Sequence, residues 1–571
     1  NIWGSIFSFK YGKPGFRKPE QFPRPVSVRF GTPLPARTPA DEARRVIAEL
    51  GAECAIEQSL QPGNTLSHQF IKQARHKWFR PIASDTLGQK ATYGKLISGA
   101  VALANRLKPS IKNQKNVGIF LPTSLGNVIT NLSLTLSGKT VVNLNWTAST
   151  QAQESAVKQA RIKYVVTSRR FVQKTEKPNL NVRWLYLEDL LKNLGRVEKF
   201  RATRAALFAS AEHLAGGREP DPLDTAAIIF SSGTTGTPKG VVLSHSNILA
   251  NVEGTQSAHR FSTHESICAI LPLFHAFGYL GLMWWPLLKG IRVAYHPNPM
   301  QTARVIKLIK QERLTALLAT PTFLQNYMRK ASVEDFRSLE IVITGGEKLR
   351  PELATQFLDK FTIQPLEAYG CTELSPAAVM TLKGAHCSGS AGQPLPGIAV
   401  RIVDPETRAP LSDGTDGLML IKGPNVMQGY LNDTKKTEEV LQHGWYNTGD
   451  IARVDQRGFV YLTGRLSRFS KIGGEMVPHG AVEEALQQVA ETNDPCIAVV
   501  SMEDHKKGEQ LAVCCTSEAG DPETLISRLR NLELPNLWIP RAVNFFNIPE
   551  LPLLGTGKLD LRMLQEMVRA S

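Results

Sequence analysis

Short apolar runs alternate with amphipathic segments along the chain from Asn64 onward. The segment LSHQFIKQARHKW, residues 66–78, predicts a helix. Seven apolar runs predict strands, at residues 116–122, 163–168, 226–231, 266–272, 317–321, 340–346 and 366–370. Strands that alternate with helices predict an α/β fold with largely parallel sheets, covered on both faces. Ligands gather at the strand ends of such sheets, and several of these runs end in polar, glycine-rich turns.

The segment AILPLFHAFGYLGLMWWPLL, residues 269–288, is apolar and long enough for a membrane-spanning helix. It also contains polar or helix-interrupting residues: Pro272, His275, Gly278, Gly281 and Pro286. A strand, a turn and a helix accommodate these residues better than one continuous helix. The segment is therefore predicted to be buried core that lines an apolar pocket.

Residues 1–60 differ in character from the rest of the chain, because their first part is rich in Pro, Gly and basic residues. RPVSVRFGTPLP predicts a strand from Val26 to Phe30 that ends in a turn. Thr38 followed by Pro39 resembles a helix cap with proline at the first helical position. Three apolar residues of the following helix lie on one face: Val46, Ile47 and Leu50. One interpretation is an N-terminal arm that packs on the main domain.

Length and composition narrow the class of protein. The 571 residues are too many for one core and predict several domains. With 42% hydrophobic and 21% charged residues, the chain is typical of globular proteins and not of disordered or fibrous ones. Seven scattered cysteines without metal-site spacing indicate a reducing compartment, and neither a disulfide framework nor a zinc site.

The net charge favours acidic partners. The chain has 67 basic and 51 acidic residues, which give a net charge of +16. Such a balance suits nucleic acid, anionic lipid surfaces or an acidic carrier protein. No clustered Arg-rich helix, RNA-binding motif or zinc finger accompanies the charge, so nucleic acid is not an expected partner.

The turn SSGTTGTPKG follows the strand predicted at residues 226–231. Its glycines let the backbone approach an anion, and its hydroxyl and N–H groups can donate to phosphate oxygens. It is not a Walker A loop, because Pro238 precedes the lysine and Gly240 follows it. The turn predicts a phosphate cradle, with a surface hairpin as the alternative. The candidate cradle residues are Ser231, Thr234, Thr235, Gly236 and Lys239.

Two motifs after predicted strands could bind a nucleotide and a metal ion. Glycines in the turn Gly345-Gly346-Glu347 would let a flat ring lie against the backbone. In EAYGCTE, residues 367–373, Tyr369 offers an aromatic face for a purine, and Glu373 offers an oxygen ligand for Mg²⁺. The motif also contains Gly370, which follows Tyr369, and the hydroxyl of Thr372. The alternative for Tyr369 is a half-buried core aromatic.

The last motifs lie nearer the C-terminus. WYNTGD ends at Asp450, whose carboxylate could accept both ribose hydroxyls, and GRLSRFSKIGGE begins with Gly464-Arg465. LPLLGTGKLDL places Lys558 after a Gly-Thr-Gly turn. The structural alternative for Asp450 is a turn-forming aspartate, and for Lys558 it is a solvated surface lysine.

These motifs, in this order, resemble the adenylate-forming superfamily, which includes acyl-CoA synthetases, luciferases and nonribosomal-peptide adenylation domains. The resemblance covers the chain from Asn64 to Ser571. It implies a large α/β adenylation domain at residues 61–464, a smaller mobile α+β domain at residues 465–571, and the use of ATP and Mg²⁺.

The resemblance also implies residue roles. The phosphates of ATP would lie at the cradle, adenine at residues 345–347 and Tyr369, Mg²⁺ at Glu373, and ribose at Asp450 and Arg465. Lys558 would contact both the substrate carboxylate and the phosphoribosyl oxygens and align the reactants. The carboxylate would attack the α-phosphate, pyrophosphate would leave, and a thiol would convert the acyl-adenylate to a thioester and AMP.

The hinge between the two domains is expected at residues 464–470. Most relatives have a Gly-Arg-x-Lys-Asp arrangement there, whereas this chain has Ser467 and, in the acidic position, Arg468. Gly480 also stands where many relatives have glutamate. GRLSRFSKIGGEMV instead resembles the bifunctional 2-acylglycerophosphoethanolamine acyltransferase / acyl-acyl-carrier-protein synthetase family. Residues 1–60 would then be the remnant of a glycerolipid acyltransferase domain without its His-x-x-x-x-Asp pair, since no histidine precedes His68.

This closer resemblance implies that a long-chain fatty acid is transferred to the phosphopantetheine thiol of holo-acyl carrier protein. The acyl pocket would be bordered by Phe274, His275, Phe277, Tyr279, Met283 and Trp284, with core packing as the alternative for most of them. His275 would lie near the adenylate, with a structural histidine as the alternative. The superfamily resemblance implies that the face around Lys471 to Glu475 serves the thiol step. In the full-length protein, acyl transfer to lysophospholipid is expected at the cytoplasmic face of the inner membrane, and the positive charge suits this surface.

Two alternatives stay open. One is a long-chain acyl-CoA ligase, which shares the first half-reaction and uses coenzyme A as the thiol. The other is a non-catalytic lipid-binding module. The intact set of candidate residues argues against that module: Lys239, Glu373, Asp450, Arg465 and Lys558.

Overall fold

The structure is a computed structural model. It describes residues 27–570 except 176, 232–237, 260, 383, 473–474, 491, 493–495, 505–507, 533 and 553–558. Within these ranges the strands form four sheets, which we name sheets A to D.

Sheets A and B are mixed sheets with parallel centres. In spatial order, the strands of sheet A are Gln393–Pro394, Ala377–Met380, Pro365–Gly370, Ile341–Gly345, Ala316–Ala319, Ser266–Ala269, Arg292–Tyr295, Pro81–Asp85 and Lys90–Thr92. Those of sheet B are Gly429–Tyr430, Lys239–Ser244, Thr225–Ser231, Thr140–Asn143, Asn116–Phe120, Tyr164–Thr167 and Arg183–Tyr186. All seven strands predicted from apolar runs are present in these two sheets, so the α/β prediction is confirmed.

Sheets C and D are mainly antiparallel. The strands of sheet C are Ala399–Val403, Gly417–Lys422, Trp445–Val454 and Leu441–Gln442, with Val460–Arg465 paired to the third. Those of sheet D are Glu475–Pro478, Phe469–Ile472, Gly508–Cys515 and Ile497–Asp504, with Phe545–Asn547 paired to the third. The chain therefore changes from sheet C to sheet D between Arg465 and Phe469.

Helices cover the sheets, and the predicted helix at residues 66–78 is present. In chain order the α-helices are Ala40–Ser59, Leu66–His76, Tyr93–Ile111, Leu125–Leu136, Thr150–Gln159, Arg169–Thr175, Leu187–Leu191, Arg196–Phe208, Ala211–Leu214, His245–His259, Ala276–Gly278, Trp285–Lys289, Thr302–Glu312, Pro321–Lys330, Pro351–Phe361, Thr434–Val440, His479–Val489, Pro522–Arg530 and Leu561–Ala570. Many of the buried apolar residues from 66 to 460 form one large core cluster with smaller clusters beside it, and sheet D has separate clusters of its own.

The apolar segment 269–288 has the strand–turn–helix form expected for it. After the strand Ser266–Ala269 come a turn and three helical pieces: Ala276–Gly278, a π-helical turn at Tyr279–Trp284, and Trp285–Lys289. No helix in the described ranges combines the length and the apolar character needed to cross a membrane.

The strand predicted at residues 26–30 does not form in residues 27–30, and Val26 lies outside the described residues. Val28 is 73% exposed and Phe30 is 90% exposed. A strand needs a partner for its backbone groups, and within the described ranges this segment pairs with none.

The helix Ala40–Ser59 packs on sheet C, as the arm interpretation predicts. Ala52 is fully buried against Ala399 and Trp445. Glu49 Oε1 lies 2.7 Å from Arg401 Nη2, and a second ion pair joins Glu53 to Lys422 at 2.8 Å.

The details of this helix differ from the expectation in two ways. Pro39 is the cap instead of the first helical residue, because Thr38 Oγ1 donates to the Pro35 carbonyl at 2.7 Å. Ile47 is 67% exposed, since small residues such as Ala52 form the packed face. The resemblance to an acyltransferase remnant stays a prediction.

Candidate active site

A cleft of about 1440 Å³ lies where strands of sheets A and B end beside sheet C. Ser231, Gly345 and Gly370 line it, and each is the last residue of its strand. Sheet C contributes Asp450 and Arg465. The chain thus brings motifs from three sheets to one place, at the strand ends where parallel sheets bind ligands.

Most of the site residues proposed from the sequence line this cleft. They are Ser231, Lys239, His275, Phe277, Gly345, Gly346, Glu347, Tyr369, Gly370, Thr372, Glu373, Asp450 and Arg465. Four others lie outside the described residues: Thr234, Thr235, Gly236 and Lys558. The structure does not bring Lys471 into the cleft, because this residue belongs to sheet D and its Nζ lies 2.7 Å from Glu406 Oε1.

Tyr369, Asp450 and Arg465 form a connected group at the sheet C side. The Tyr369 hydroxyl donates a hydrogen bond of 2.6 Å to Asp450 Oδ2, and Arg465 Nε lies 3.6 Å from Asp450 Oδ1. Burial and then the charge of Asp450 raise the pKa of Tyr369 well above its ordinary value, so the phenol stays a donor. An aromatic ring beside a fixed carboxylate suits a purine nucleoside with vicinal hydroxyls.

Glu373 and Lys239 both lie near another tyrosine of the cleft, Tyr430. The Tyr430 hydroxyl donates a hydrogen bond of 2.8 Å to Glu373 Oε1, and Lys239 Nζ lies 5.7 Å from the centroid of the Tyr430 ring. Burial, followed by the charge of Glu373, raises the pKa of the Tyr430 hydroxyl. A cation and an oriented carboxylate therefore lie on one side of the cleft.

In the turn 345–347, the backbone is more available to a ligand than the Glu347 carboxylate is. Gly346 has φ +84°, a conformation that glycine adopts without strain. Glu347 Oε2 accepts a hydrogen bond of 2.7 Å from Thr322 Oγ1, so this carboxylate holds the turn against the helix Pro321–Lys330. At Gly370 a Cβ would lie 1.9 Å from the Pro376 carbonyl oxygen, so packing alone requires glycine there.

The other half of the cleft is apolar. Its lining side chains include Phe274, Phe277, Leu280, Trp285, Leu318 and Ile343. His275 lines this part, with its ring 4.6 Å from that of Phe274. Three residues expected at this border do not line the cleft, because they are packed inside the core cluster: Tyr279, Met283 and Trp284.

Sequence reasoning missed several polar residues of the cleft. Tyr430 carries no local signal, because strand pairing in sheet B and a backbone bond of 2.8 Å from Met427 N to Glu373 O bring it to Glu373. Tyr446 stands in WYNTGD, and the Cys371 thiol lies 3.9 Å from its hydroxyl. Burial raises the pKa of both groups, so the thiol stays neutral and is a weak nucleophile. Glu367, the first residue of EAYGCTE, also lines the cleft. Burial raises the pKa of its carboxyl to about 7.

The residues of the cleft suit a magnesium–nucleotide complex. Within the described ranges, no group of three or more His, Cys, Asp and Glu side chains could hold a metal ion unaided. Mg²⁺ is usually held by one or two carboxylates together with phosphates and water. Glu373 supplies a carboxylate, and the nearby Lys239 supplies a charge for phosphates.

Comparison with known proteins matches residues 70–431, more than half of the chain, to the AMP-binding enzyme family. The protein named "Probable 4-coumarate--CoA ligase 1" of Dictyostelium discoideum is 33% identical over 350 residues, which are 60% of this chain and 63% of that protein. "Feruloyl-CoA synthase" of Amycolatopsis sp is 33% identical over 346 residues, 59% of this chain and 68% of that protein. The chain thus spans less than two thirds of the length of the Dictyostelium relative.

Solved structures share the fold. ATP-bound MatB from Rhodopseudomonas palustris has a TM-score of 0.74 at 23% identity, covering 88% of this chain and 98% of its own. The o-succinylbenzoate coenzyme A synthetase MenE from Bacillus subtilis, in complex with ATP and magnesium ion, has a TM-score of 0.74 at 22% identity, covering 88% and 99%. The α/β architecture with a large N-terminal and a smaller C-terminal domain matches these structures.

Proposed function

Since the chain belongs to the AMP-binding enzyme family, we propose that it is an AMP-forming acid–thiol ligase, which adenylates a carboxylic acid and passes the acyl group to a thiol. Enzymes of this family use ATP with Mg²⁺. The observation that carries the proposal is a single cleft in which Lys239, Glu373 and the Tyr369–Asp450 pair face an apolar half.

The polar half would lower the barrier to adenylation. A carboxylate and a triphosphate repel each other, and the Lys239 cation would reduce this repulsion and stabilise charge on the transferring phosphate. Asp450 would accept the ribose hydroxyls while the Tyr369 hydroxyl orients it. Glu373, oriented by Tyr430, would hold Mg²⁺, which supplies charge neutralisation at the phosphates.

The apolar half supports an apolar acid. Phenylalanine, leucine and tryptophan side chains line it, and they would exclude water from a hydrocarbon chain. We therefore propose a long-chain fatty acid as the substrate.

Coenzyme A is the acceptor that we propose first, because the relatives found by comparison are named as CoA ligases or synthases. Holo-acyl carrier protein is the second candidate. The resemblance of GRLSRFSKIGGEMV to acyl-acyl-carrier-protein synthetases supports it, and the net charge of +16 suits an acidic protein. If holo-acyl carrier protein is the acceptor, the acyl group would then be transferred to lysophospholipid at the membrane surface.

The test is ATP-dependent thioester formation from labelled palmitate, with coenzyme A and holo-acyl carrier protein offered side by side. Product on coenzyme A would support the first acceptor, and product on the carrier protein alone would replace it with the second. ATP–pyrophosphate exchange measures the first half-reaction separately. Lys239→Ala is expected to lower this exchange at least tenfold, whereas the exposed control Lys95→Ala keeps it. Absence of exchange in the unmodified protein would contradict the proposal and favour a non-catalytic module.

A further inference from the structure

The helix Arg196–Phe208 presents both of its phenylalanines and a valine to solvent. Val197 is 63% exposed, Phe200 is 70% exposed and Phe208 is 78% exposed. At 3.6 residues per turn these three side chains share one face. The two buried residues of the helix are both alanines. This arrangement is the reverse of the usual one, in which a helix of a globular protein turns its larger apolar residues to the core.

Positive charge surrounds the exposed apolar residues. Five exposed cations lie on the helix and in the turn before it: Lys192, Arg196, Lys199, Arg201 and Arg204. Within the described part of the chain, no ion pair engages any of them. The helix has one acidic residue, Glu198, and its carboxylate lies 2.7 Å from Arg106. The face therefore has a strong local excess of positive charge.

The helix is held firmly in this orientation. Its buried alanines belong to the large core cluster, and it packs along the helix Tyr93–Ile111. Arg75 donates to the Ala206 carbonyl at 2.9 Å and to the Ala209 carbonyl at 2.6 Å. These bonds satisfy carbonyl groups at the C-terminal end, so the helix cannot easily turn its phenylalanines inward.

We propose that this face, which we name the Phe200 face (Val197, Phe200, Arg201, Arg204 and Phe208), docks the protein on an anionic lipid bilayer. Cationic side chains next to exposed aromatic ones suit the headgroup region of such a bilayer, where charge and apolar area both contribute to binding. Because the apolar side chains and the cations share one helix face, both can enter the headgroup region together. The inference does not rest on the proposed ligase activity.

The test is flotation of the full chain with vesicles of phosphatidylcholine, with and without phosphatidylglycerol. We expect binding that requires the anionic lipid. Arg201→Gln with Arg204→Gln should lower partition onto anionic vesicles by about 30-fold, since each cation near such a surface contributes about fivefold. Phe200→Ala with Phe208→Ala should lower it by at least about tenfold, because two apolar side chains are lost.

Matched controls lie elsewhere on the surface. Arg304→Gln with Lys307→Gln removes the same charge from another helix, and Phe79→Ala removes a side chain of an 86% exposed residue. Controls should bind like the unmodified protein, and all variants should keep their unfolding temperature and pyrophosphate exchange.

Three results would overturn the proposal. Equal binding of face variants and controls to anionic vesicles is the first. The second is a dimer, seen by light scattering, that the face variants convert to monomer, which would assign the face to a second copy. The third is loss of binding to holo-acyl carrier protein with vesicle binding unchanged, which would assign it to an acidic protein.

Discussion

The Tyr369 hydroxyl joins two parts of the cleft that are 81 residues apart in the chain, through its bond to Asp450. Tyr369→Phe keeps the ring and removes the hydroxyl that bonds Asp450 and also contacts the Thr448 side chain. A hydrogen bond to a charged group contributes about 1.5–3 kcal/mol, so we expect the KM for ATP in pyrophosphate exchange to rise about 10- to 100-fold. Tyr93→Phe is the control, because that buried hydroxyl bonds the Leu287 carbonyl outside the cleft. An unchanged KM for ATP would show that the Tyr369–Asp450 bond does not prepare the nucleotide site.

Glu367 makes the stability of the protein depend on pH. Burial raises its pKa from an ordinary value of 4.5 to about 7, so the folded protein favours the protonated carboxyl. Its contribution is therefore fully present below pH 4.5 and is lost as the pH rises through about 7. Glu367→Gln keeps an acceptor for the Leu349 N–H, a bond of 3.4 Å, without the charge.

The variant is expected to be more stable than the unmodified protein at pH 8, by about 2–3 kcal/mol, and nearly equal to it at pH 5. Urea unfolding at the two pH values measures this difference. Exposed Glu340→Gln should show no such dependence. A variant that is less stable at pH 8 would contradict the prediction.

At the scale of elements, apolar runs identified seven strands of sheets A and B, because a strand covered on both faces must be apolar along its length. The same rule could not find the strand pairing that brings Tyr430 to Glu373, since a two-residue strand has no periodicity. It also misassigned the strand at residues 26–30, because apolar alternation does not reveal whether a partner strand exists. Trp284 shows a third limit: apolar content does not distinguish a pocket wall from the core behind it.

The helix Ala40–Ser59 is an element whose docking depends on one small residue. Ala52 is fully buried in a cluster with Ala399 and Trp445, so Ala52→Asp would replace a buried methyl group with a desolvated carboxylate. The nearby cations Arg401 and Lys422 are already paired with Glu49 and Glu53. We expect the free energy that holds this helix on sheet C to fall by about 2–4 kcal/mol. Limited trypsin digestion after Arg45 should become much faster. Ile47→Asp, on the exposed side of the same helix, should leave the rate unchanged. Equal rates for both variants would show that the helix is not held by this contact.

At the scale of the whole molecule, two exposed ion pairs between described residues join the unit built on sheet D to the rest of the chain. Lys471 Nζ lies 2.7 Å from Glu406 Oε1, and Lys348 Nζ lies 3.5 Å from Glu484 Oε2. Lys348 also lines the cleft. If the smaller domain rotates between half-reactions, as the family resemblance implies, both ion pairs must break at each turnover. Contacts that break at each turnover have to be weak. Exposed ion pairs meet this requirement, because water and salt screen them.

Glu406→Gln combined with Glu484→Gln should therefore leave the unfolding temperature unchanged and make the connection between sheets C and D more accessible. Trypsin cleavage at Arg465 and Arg468 is expected to become faster at low salt, and added salt should no longer accelerate it. The control is Glu566→Gln, which breaks the Arg562–Glu566 pair of 2.8 Å within one helix. Faster cleavage in this control as well would mean that lost surface charge alone explains the effect. Unchanged cleavage in the double variant would mean that other contacts hold the two units in this arrangement, and that the ion pairs do not control it.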